Sequence, residues 1–572
     1  MELNAPSKLL QLPPEVLLHT LAYTTPRDCT RVAAVNKLLS VLCSTWTLYR
    51  DLLSTLQDLP TSALADFPYQ DLCRRFVQAT AALEHLDERP LAGPDLVALL
   101  ETLVYLAVSR PAANLPSLNE ALLEKYFSPE QSKILSLHPS FSARQPRLRS
   151  HSRKWTDEDV VVSELVSRLH SLSTPSLAAV ASPTVRTAAK EIVYERLNFA
   201  KSSGYGPLKS DGTTTVDHRK VEAIQIVMSA NLEEAKTMGW GQGAPAAGRG
   251  EETSVPSGWS STRTGSAETP ELIDGKKVDP RDWAGVTTHE WRGTYAFLHY
   301  PIYHAFNHHR TNSYIPSLAE ESEAVGDCMS LKLELLPEGT EVTPPMEAFR
   351  TTPRANRPRF GVRAGADATL DSSDEDDSDF DVEAVQDDAD EGSSASSSSD
   401  SETDLHTHFV TNGQQPRRHH HTPPTSPPDD ADPVPPIGPL PPPSTSTKSR
   451  GSPGTKADAS SFPKLAFKGT SMPLHLRTLA FTGTFVNSQS HFNIRDRSIR
   501  GTVEMNEAGE IIWKYIIRYG GIDHWAMTGV QVGGPKSRFG VVGTWTCADR
   551  DAADDEGPNG PFWYWPNMAA DP

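Results

Sequence analysis

Four histidines lie close together in the chain, at His299, His304, His308 and His309. His304 and His308 have the i, i+4 spacing that places two imidazole ligands of a zinc ion on one face of a helix. Position 305 is an alanine, however, where a zinc protease needs a glutamate as its general base. Because Pro301 interrupts the segment, we predict a strand followed by a loop whose histidines bind no metal. A metalloenzyme remains as an alternative hypothesis.

Other enzyme motifs are missing from the sequence. The stretch GGPKS at 533–537 contains half of a phosphate-binding loop but lacks the G-x-x-x-x-G-K-[ST] spacing. We find no G-x-S-x-G nucleophile elbow at a strand–helix junction and no cysteine matched to a catalytic histidine. These motifs therefore supply no candidate catalytic residue, and we expect no cofactor.

Arginine and aromatic residues near the C-terminus are candidates for binding. The arginines lie close enough in sequence to recognise a carboxylate or phosphate together, with pairing to neighbouring acidic side chains as the alternative. Tryptophan offers a large, rigid contact area, with filling of a hydrophobic core as the alternative. The candidate substrate-binding residues are Arg495, Arg497, Arg500, Trp525 and Trp545.

The composition indicates that only part of the chain is globular. The 572 residues include 47 prolines, and a hydrophobic content of 37% is low for a chain that packs throughout. Fifteen acidic residues and no basic ones stand between Asp371 and Asp404, so this segment carries most of the formal charge of −19. The rest is nearly neutral, and we expect no nucleic-acid partner because no strongly basic domain is present.

Cysteine usage and hydropathy indicate where the protein works. Five scattered cysteines without a C-x-x-C pair argue against a disulfide scaffold and a structural zinc site. No run of about 18 apolar residues, long enough to cross a bilayer, occurs in the sequence. We therefore expect a soluble protein of the cytoplasm, the nucleus or both, with no membrane partner.

Periodicity predicts an α+β multidomain protein. The N-terminal part shows helical spacing, and the C-terminal part alternates like the strands of an antiparallel β-barrel or sandwich. The triplet Gly-Thr-aromatic recurs at 293–295, 483–485 and 543–545, which links the two halves of one β domain. The predicted segments are a three-helix unit at 8–53, a helical spacer at 54–240, a loose loop at 241–282, the first part of the β domain at 283–350, a disordered acidic and proline-rich insertion at 351–470, and the second part of the β domain at 471–566.

The first helical segment carries a recognisable motif. It reads KLLQLPPEVLLHTLAYTTPRDCTRVAAVNKLLSVLCSTWTLYRDLL and resembles an F-box through its LPxE start, its Val35–Asn36–Lys37 triplet and its closing W-x-L-Y. Cys29 departs from the family pattern, which usually has an aliphatic residue there. The alternative is an ordinary helical bundle that buries these leucines itself.

The resemblance implies a partner. F-boxes dock on the Skp adaptor of a Skp–cullin–F-box ubiquitin ligase, and a helical unit this small leaves apolar positions for a partner to cover. The residues that the resemblance assigns to adaptor contact are Leu12, Pro13, Val16, Leu17, Leu21, Val32, Val35 and Trp46.

The C-terminal sequence adds a second resemblance. The blocks at 283–300, 495–521, 524–534, 539–546 and 560–565 are similar to the C-terminal region of a group of fungal F-box proteins, and more distantly to animal F-box-only proteins whose β-barrel recognises substrate. This likeness implies the substrate receptor of the ligase, with the adaptor, a cullin and an unknown protein substrate as partners. The chain would then act by proximity and perform no chemistry.

A ligand-binding barrel is the other hypothesis that the sequence leaves open. The Gly-Thr-aromatic triplets are similar to strand starts in calycin-type barrels, which hold small apolar ligands. The N-terminal helices would then be an addition to the barrel. A packed interior favours protein recognition, and an apolar cavity favours a small ligand.

Overall fold

The computed structural model describes separate ranges of the chain. They are 8–58, 68–85, 91, 93–109, 117–127, 157–173, 182–237, 255–256, 261, 272–273, 276–277, 279, 281–287, 290–308, 318–319, 321–326, 328–338, 340, 477–487, 497–548 and 558–567. No helix in these ranges combines the length and apolar character that crossing a bilayer requires.

The helical character predicted for the N-terminal part is confirmed, but the unit predicted as three helices at 8–53 has four, because a turn at 43–45 separates Lys37–Leu42 from Trp46–Leu56. The first four are α1 (Pro14–Ala22), α2 (Pro26–Ala33), α3 (Lys37–Leu42) and α4 (Trp46–Leu56). The later ones are α5 (Tyr69–Glu84), α6 (Pro94–Val108), α7 (Leu118–Phe127), α8 (Asp157–Ser173), α9 (Pro183–Val193) and α10 (His218–Thr237).

Local signals determine where the first helices begin. Pro14 and Pro26 occupy first-turn positions, where the missing N–H of proline has no helical partner to lose. The Thr25 hydroxyl accepts the backbone N–H of Asp28, and the Asn36 side chain accepts that of Leu38. These caps set α1–α4 as a compact unit with its own apolar cluster, formed by Leu17, Leu21, Cys29, Leu39, Leu42, Cys43, Leu48 and Leu52.

The C-terminal part is a closed antiparallel β-barrel. Eight strands pair in the order in which they follow one another, and β11 closes the barrel by pairing with β3, as Trp563 opposite Thr294 shows. Because the barrel is closed, each of the eight strands pairs with a neighbouring strand on both sides. The strands are β3 (Trp291–Leu298), β5 (Met329–Leu335), β6 (Thr478–Asn487), β7 (Arg497–Met505), β8 (Ile511–Tyr519), β9 (Ile522–Gln531), β10 (Val541–Cys547) and β11 (Asn559–Pro566).

Short elements accompany the barrel. A two-stranded ribbon is formed by β1 (Leu272–Ile273) and β2 (Lys276–Lys277), and β4 (Glu323–Val325) pairs with the end of β3. The histidine segment, predicted as a strand and a loop, is instead helix α11 (Tyr300–His308). The strand prediction was wrong from Tyr300 onward because Pro301 suits the first turn of a helix as well as a break.

The β domain is one barrel although a long insertion divides its sequence. Strands β5 and β6 pair from Met329 opposite Asn487 to Leu335 opposite Phe481, and the Leu336 N–H donates to the Ala480 carbonyl at 2.8 Å. The insertion therefore replaces one hairpin loop. Residues 341–476 lie outside the described ranges, so disorder of 351–470 stays a prediction.

The two ends of the barrel differ. Ala284 and Val286 of the loop 281–287 belong to the interior cluster, and the Trp291 indole donates to the Val286 carbonyl at 3.0 Å. We call this the plug end. At the other end, which we call the arc end, β8 and β9 join between Tyr519 and Ile522.

The helices that follow the F-box-like unit pack on the outer wall of the barrel. Helix α10 contacts β3, β4, β10 and β11, and it also packs on α8 and α9. One apolar cluster contains Leu103 of α6, Val227 of α10 and the barrel residues Val542 and Trp563. The segment predicted as a spacer is therefore a layer of helices packed on the β domain, because its apolar faces meet the outward side chains of β8–β11.

Candidate functional site

Apolar side chains remain exposed on the N-terminal helices. Four of the residues assigned to adaptor contact are exposed by 41% at Leu12, 46% at Val16, 77% at Val35 and 43% at Trp46, and Pro13 is exposed as well. Single exposed apolar residues are normal on a protein surface, but a concentration of them marks an interaction site. This surface is the first candidate site.

Three other residues assigned to adaptor contact are not free surface. Leu17 and Leu21 are buried in the cluster of α1–α4, and Val32 is half-buried against the same cluster. Val16 and Leu17 are neighbours on one helix, but their side chains point in different directions, because successive helical residues are about 100° apart around the helix axis. The three buried or half-buried side chains support the surface and do not form it.

Further exposed apolar residues extend this surface beyond those assigned. Leu9, Tyr23, Leu38 and Val41 are exposed by 39% or more. Leu38 and Val41 are three residues apart on the short helix α3 and so lie on one side of it, and Val35 stands just before the N-cap Asn36. That spacing was available in the sequence and could have identified Leu38 and Val41. We call the exposed set from Leu9 to Trp46 the apolar face.

Trp46 joins the apolar face to the helical layer. Its ring stacks on Tyr69 of α5 with centroids 5.9 Å apart, and the Arg50 guanidinium carbon lies 5.4 Å from its centroid. Leu53 at the far end of α4 belongs to the core of the layer. The F-box-like unit is therefore packed on the layer and does not hang from a flexible joint at α4.

Cys29, the departure from the family pattern, is accommodated in the core. Its side chain is 1% exposed, and its sulfur lies 3.2 Å from the Thr24 hydroxyl. A buried thiol behaves as a small apolar group. Burial raises the pKa of Cys29, Cys43 and Cys73, the last to about 12. These thiols are protonated at neutral pH and are poor nucleophiles.

An unbroken series of ring contacts follows the arc end of the barrel. Neighbouring rings lie 5.0–6.5 Å apart between centroids, mostly edge to face, which is the favourable arrangement for aromatic pairs. The rings belong, in order, to Phe485, Tyr519, His524, Trp525, Trp545, Tyr295 and Phe297. We call this set the aromatic arc, and it is the second candidate site.

The structure brings together three of the five predicted substrate residues. Trp525 and Trp545 are adjacent members of the aromatic arc with centroids 5.0 Å apart, and the Arg497 guanidinium lies 6.0 Å from the Phe485 centroid. Arg500 does not join them, because strand alternation turns it to the outer wall. Arg495 lies outside the described residues.

Arg500 forms an ion pair on the barrel wall. Its guanidinium is 2.8 Å from the Asp523 carboxylate, which also receives Arg518 at 2.6 Å. The prediction that the arginines share one anion site is therefore not met between Arg497 and Arg500. Asp523 is far enough along the sequence that no local pattern identified it as the partner.

The repeated triplet explains how part of the aromatic arc forms. Tyr295, Phe485 and Trp545 are the aromatic residues of the three Gly-Thr-aromatic triplets. Glycine and aromatic residue are two positions apart and so face the barrel interior together. A Cβ on Gly543 would lie 2.7 Å from the Phe562 ring, so the missing side chain leaves room for a large neighbour. The triplet is visible in the sequence, but the sequence did not mark Tyr295, Phe485 or Tyr519 as site residues.

The interior of the barrel is filled by its own side chains. The lining of the central cavity includes Trp291, Phe481, Trp513, Tyr515 and Tyr564. The cavity has a volume of only about 10 Å³. This is roughly the space for one water molecule, and ligand pockets are about 300–1,000 Å³. Of the two predicted tryptophans, Trp545 is 4% exposed and belongs to the interior cluster, and Trp525 is half-buried against that cluster.

The histidines and other potential metal ligands do not cluster in the part of the chain that the structure describes. There, no group of three or more His, Cys, Asp or Glu side chains has the geometry to hold a metal ion. His299 is exposed and His304 is half-buried with its ring 5.9 Å from that of Tyr300. His309 lies outside the described residues.

Comparison of the chain with protein-family models, with curated proteins and with solved structures finds no match. The fold and the two candidate sites define a helical protein with a closed antiparallel β-barrel, an apolar face at one end of the chain and an aromatic arc near the other.

Proposed function

We propose that this protein is the substrate receptor of a Skp–cullin–F-box ubiquitin ligase. The observation that carries the proposal is the apolar face, which stands on helices whose sequence resembles an F-box. An independent helical bundle would bury these side chains, whereas a docking unit leaves them for its partner. The adaptor would cover Leu12, Val16, Val35 and Trp46, while Leu17 and Leu21 keep the helices in shape.

Substrate capture belongs to the β domain in this proposal. The aromatic arc offers large rigid rings, and Arg497 adds a cation at the same end of the barrel. Aromatic residues and arginine dominate binding energy in protein interfaces. Trp525 and Arg497, both half-buried, are therefore the proposed substrate contacts, with the 4% exposed Trp545 supporting Trp525 from inside the barrel. The chain contributes proximity between substrate and conjugating enzyme.

The ligand-binding barrel is the second candidate, and the filled interior disfavours it. A calycin-type ligand would need a cavity many times larger than the space beside Trp513 and Tyr564. The metalloenzyme has no supporting cluster among the described side chains. Neither alternative accounts for the apolar face.

Direct binding to a purified Skp adaptor tests the proposal. Val16→Asp/Val35→Asp places two charges on the apolar face, at exposed positions that do not hold the core. Val486→Asp is the matched control, because Val486 is 57% exposed on the barrel wall. Calorimetry is expected to show binding by the wild type and the control. The dissociation constant of the double variant should be at least tenfold larger. Equal affinity of all three proteins, or no binding by any, would refute the proposal.

A further inference from the structure

Two buried carboxylates of the β domain find their partners in the helical layer. Glu323 of β4 lies at the arc end, opposite Leu298, the last residue of β3, and Glu510 lies at the plug end, just before β8. Their side chains are 0% and 7% exposed. A buried carboxylate without partners is costly, so these contacts fix the position of the layer.

The arc-end contact joins β4 to α9. The Lys190 ammonium lies 3.6 Å from the Glu323 carboxylate and donates to the Glu321 carbonyl at 2.5 Å. The Tyr194 hydroxyl donates to the other oxygen of Glu323 at 2.5 Å. Lys190 is itself 3% exposed at its side chain, so the pair is enclosed by protein. We call Lys190, Tyr194 and Glu323 the arc-end lock.

The plug-end contact joins the hairpin 506–510 to the segment that leads into α10. Glu510 accepts the Val216 N–H at 3.1 Å and approaches His218 Nε2 at 2.9 Å. The Asn506 amide donates to the Thr214 carbonyl at 3.0 Å. We call these five residues the plug-end lock.

Two separate locks constrain more than one lock can. A single polar contact on an apolar wall would let the layer pivot about it, whereas contacts at opposite ends of the barrel remove that rotation. The F-box-like unit is packed on the same layer through Trp46 and Leu53. The apolar face and the aromatic arc are thus held at one distance and one angle.

We propose that Glu323 and Glu510 are positioning residues that lock the β-barrel to the helical layer and so set the distance between adaptor and bound substrate. This consequence rests on the proposed function, but the rigidity does not. If the wild-type protein does not bind the adaptor, the function alone is refuted. If the helical layer moves against the barrel in the free wild-type protein, the locks alone are refuted.

Distance distributions between two spin labels test the locks in the full chain. Nitroxides are attached through non-canonical keto side chains at Ser40 on α3 and Thr484 on β6, both exposed, so that the native cysteines stay unlabelled. Pulsed electron resonance is expected to give one narrow distance in the wild type. Glu323→Ala/Glu510→Ala should at least double the width, and Glu323→Gln/Glu510→Gln, which keeps one acceptor oxygen at each position, should broaden the distribution less.

The controls separate positioning from general damage. Glu504→Ala removes a half-buried carboxylate that pairs with Lys514 on the barrel wall away from both locks, and it should leave the width unchanged. The near-ultraviolet circular dichroism of the barrel tryptophans reports that the barrel is intact. If the double alanine variant loses that signal, Tyr194→Phe/Asn506→Ala, which weakens each lock and keeps both carboxylates, replaces it and should also broaden the distribution. A broad distribution in the wild type, or a narrow one in the alanine lock variant that keeps an intact barrel, would overturn the proposal.

Discussion

Adjacent residues of the N-terminal helices have opposite roles, and the difference is one of direction. Val16 is 46% exposed while Leu17 is 3% exposed. Sequence patterns identify both as apolar residues of a helix but do not show which side a partner covers, because α3 and α4 decide that through tertiary packing. Leu17 and Leu21 were therefore assigned to adaptor contact, although the chain itself covers them.

At the residue scale, Glu510 makes stability depend on pH in the acid range. Burial alone would raise the pKa of Glu510, but the hydrogen bond and charge of His218 and the charge of Arg168 outweigh it and hold the pKa at about 2. A depressed pKa stabilises the fold above the unfolded-state value near 4.5 and loses that contribution as the pH falls toward 2.

The expected loss is about 3 kcal/mol in the free energy of unfolding over that range, at 1.36 kcal/mol per pKa unit. Chemical denaturation between pH 5 and about pH 2 measures it. Glu510→Gln should flatten the dependence, and Glu504→Gln, at a half-buried position on the barrel wall, should not. An unchanged slope in Glu510→Gln would show that another group titrates.

The buried thiols give a second prediction at the residue scale. Cys29, Cys43 and Cys73 are buried, whereas Cys328 and Cys547 are half-buried. Burial raises the pKa of the first three, which keeps them in the unreactive thiol form. With a disulfide reagent at pH 8, Cys328 and Cys547 should react first, and all five should react after unfolding. Rapid labelling of Cys73 in the native protein would contradict the packing of α4 on α5.

At the scale of elements, the strands were easier to predict than the aromatic arc that their pairing forms. Alternation and turn residues located β6–β11 well, because both signals are local. The aromatic arc is not local, since it depends on which strands become neighbours and in what register. Phe485 and Tyr519 meet only because β7 and β8 pair in the register that sets Arg497 opposite Tyr519.

The triplet 483–485 provides a prediction for a single strand. A Cβ on Gly483 would lie 2.3 Å from the Lys332 carbonyl oxygen, whereas Thr484 points outward and is exposed. Gly483→Ala should reduce the free energy of unfolding by about 1–3 kcal/mol through overpacking. Thr484→Ala, the neighbouring control, should change it by about 0.5 kcal/mol or less. Denaturant titration compares the two variants. An equal effect would show that β5 and β6 move apart at little cost to accommodate the added Cβ.

At the scale of the whole molecule, composition and hydrophobic periodicity alone predicted helices in the N-terminal part and an antiparallel barrel or sandwich in the C-terminal part. What the sequence did not reveal was that the segment 54–240 packs on the barrel, because the outward faces of β8–β11 look like ordinary half-buried strands until the helices are placed. Helix α11 and the plug formed by Ala284 and Val286 were missed for the same reason. Short segments take their structure from what they pack against.

Shared packing predicts that the helices and the barrel unfold together. Ile224 of α10 and Trp563 of β11 belong to one apolar cluster, and both locks bridge the same boundary. Thermal unfolding followed at 222 nm for the helices and in the near ultraviolet for the barrel tryptophans should give coincident transitions. Helices that melt well before the barrel would show that the layer is an independent domain.

The central claim is that the apolar face recruits a ubiquitin ligase. Affinity purification of the tagged full chain with mass spectrometry, beside Leu12→Ala/Pro13→Ala at two exposed positions, tests it most directly. We expect a Skp adaptor and a cullin to co-purify with the wild type and to be lost from the double variant, while proteins bound through the β domain remain with both. If neither form retains the adaptor, the apolar face serves another partner and the receptor function is wrong.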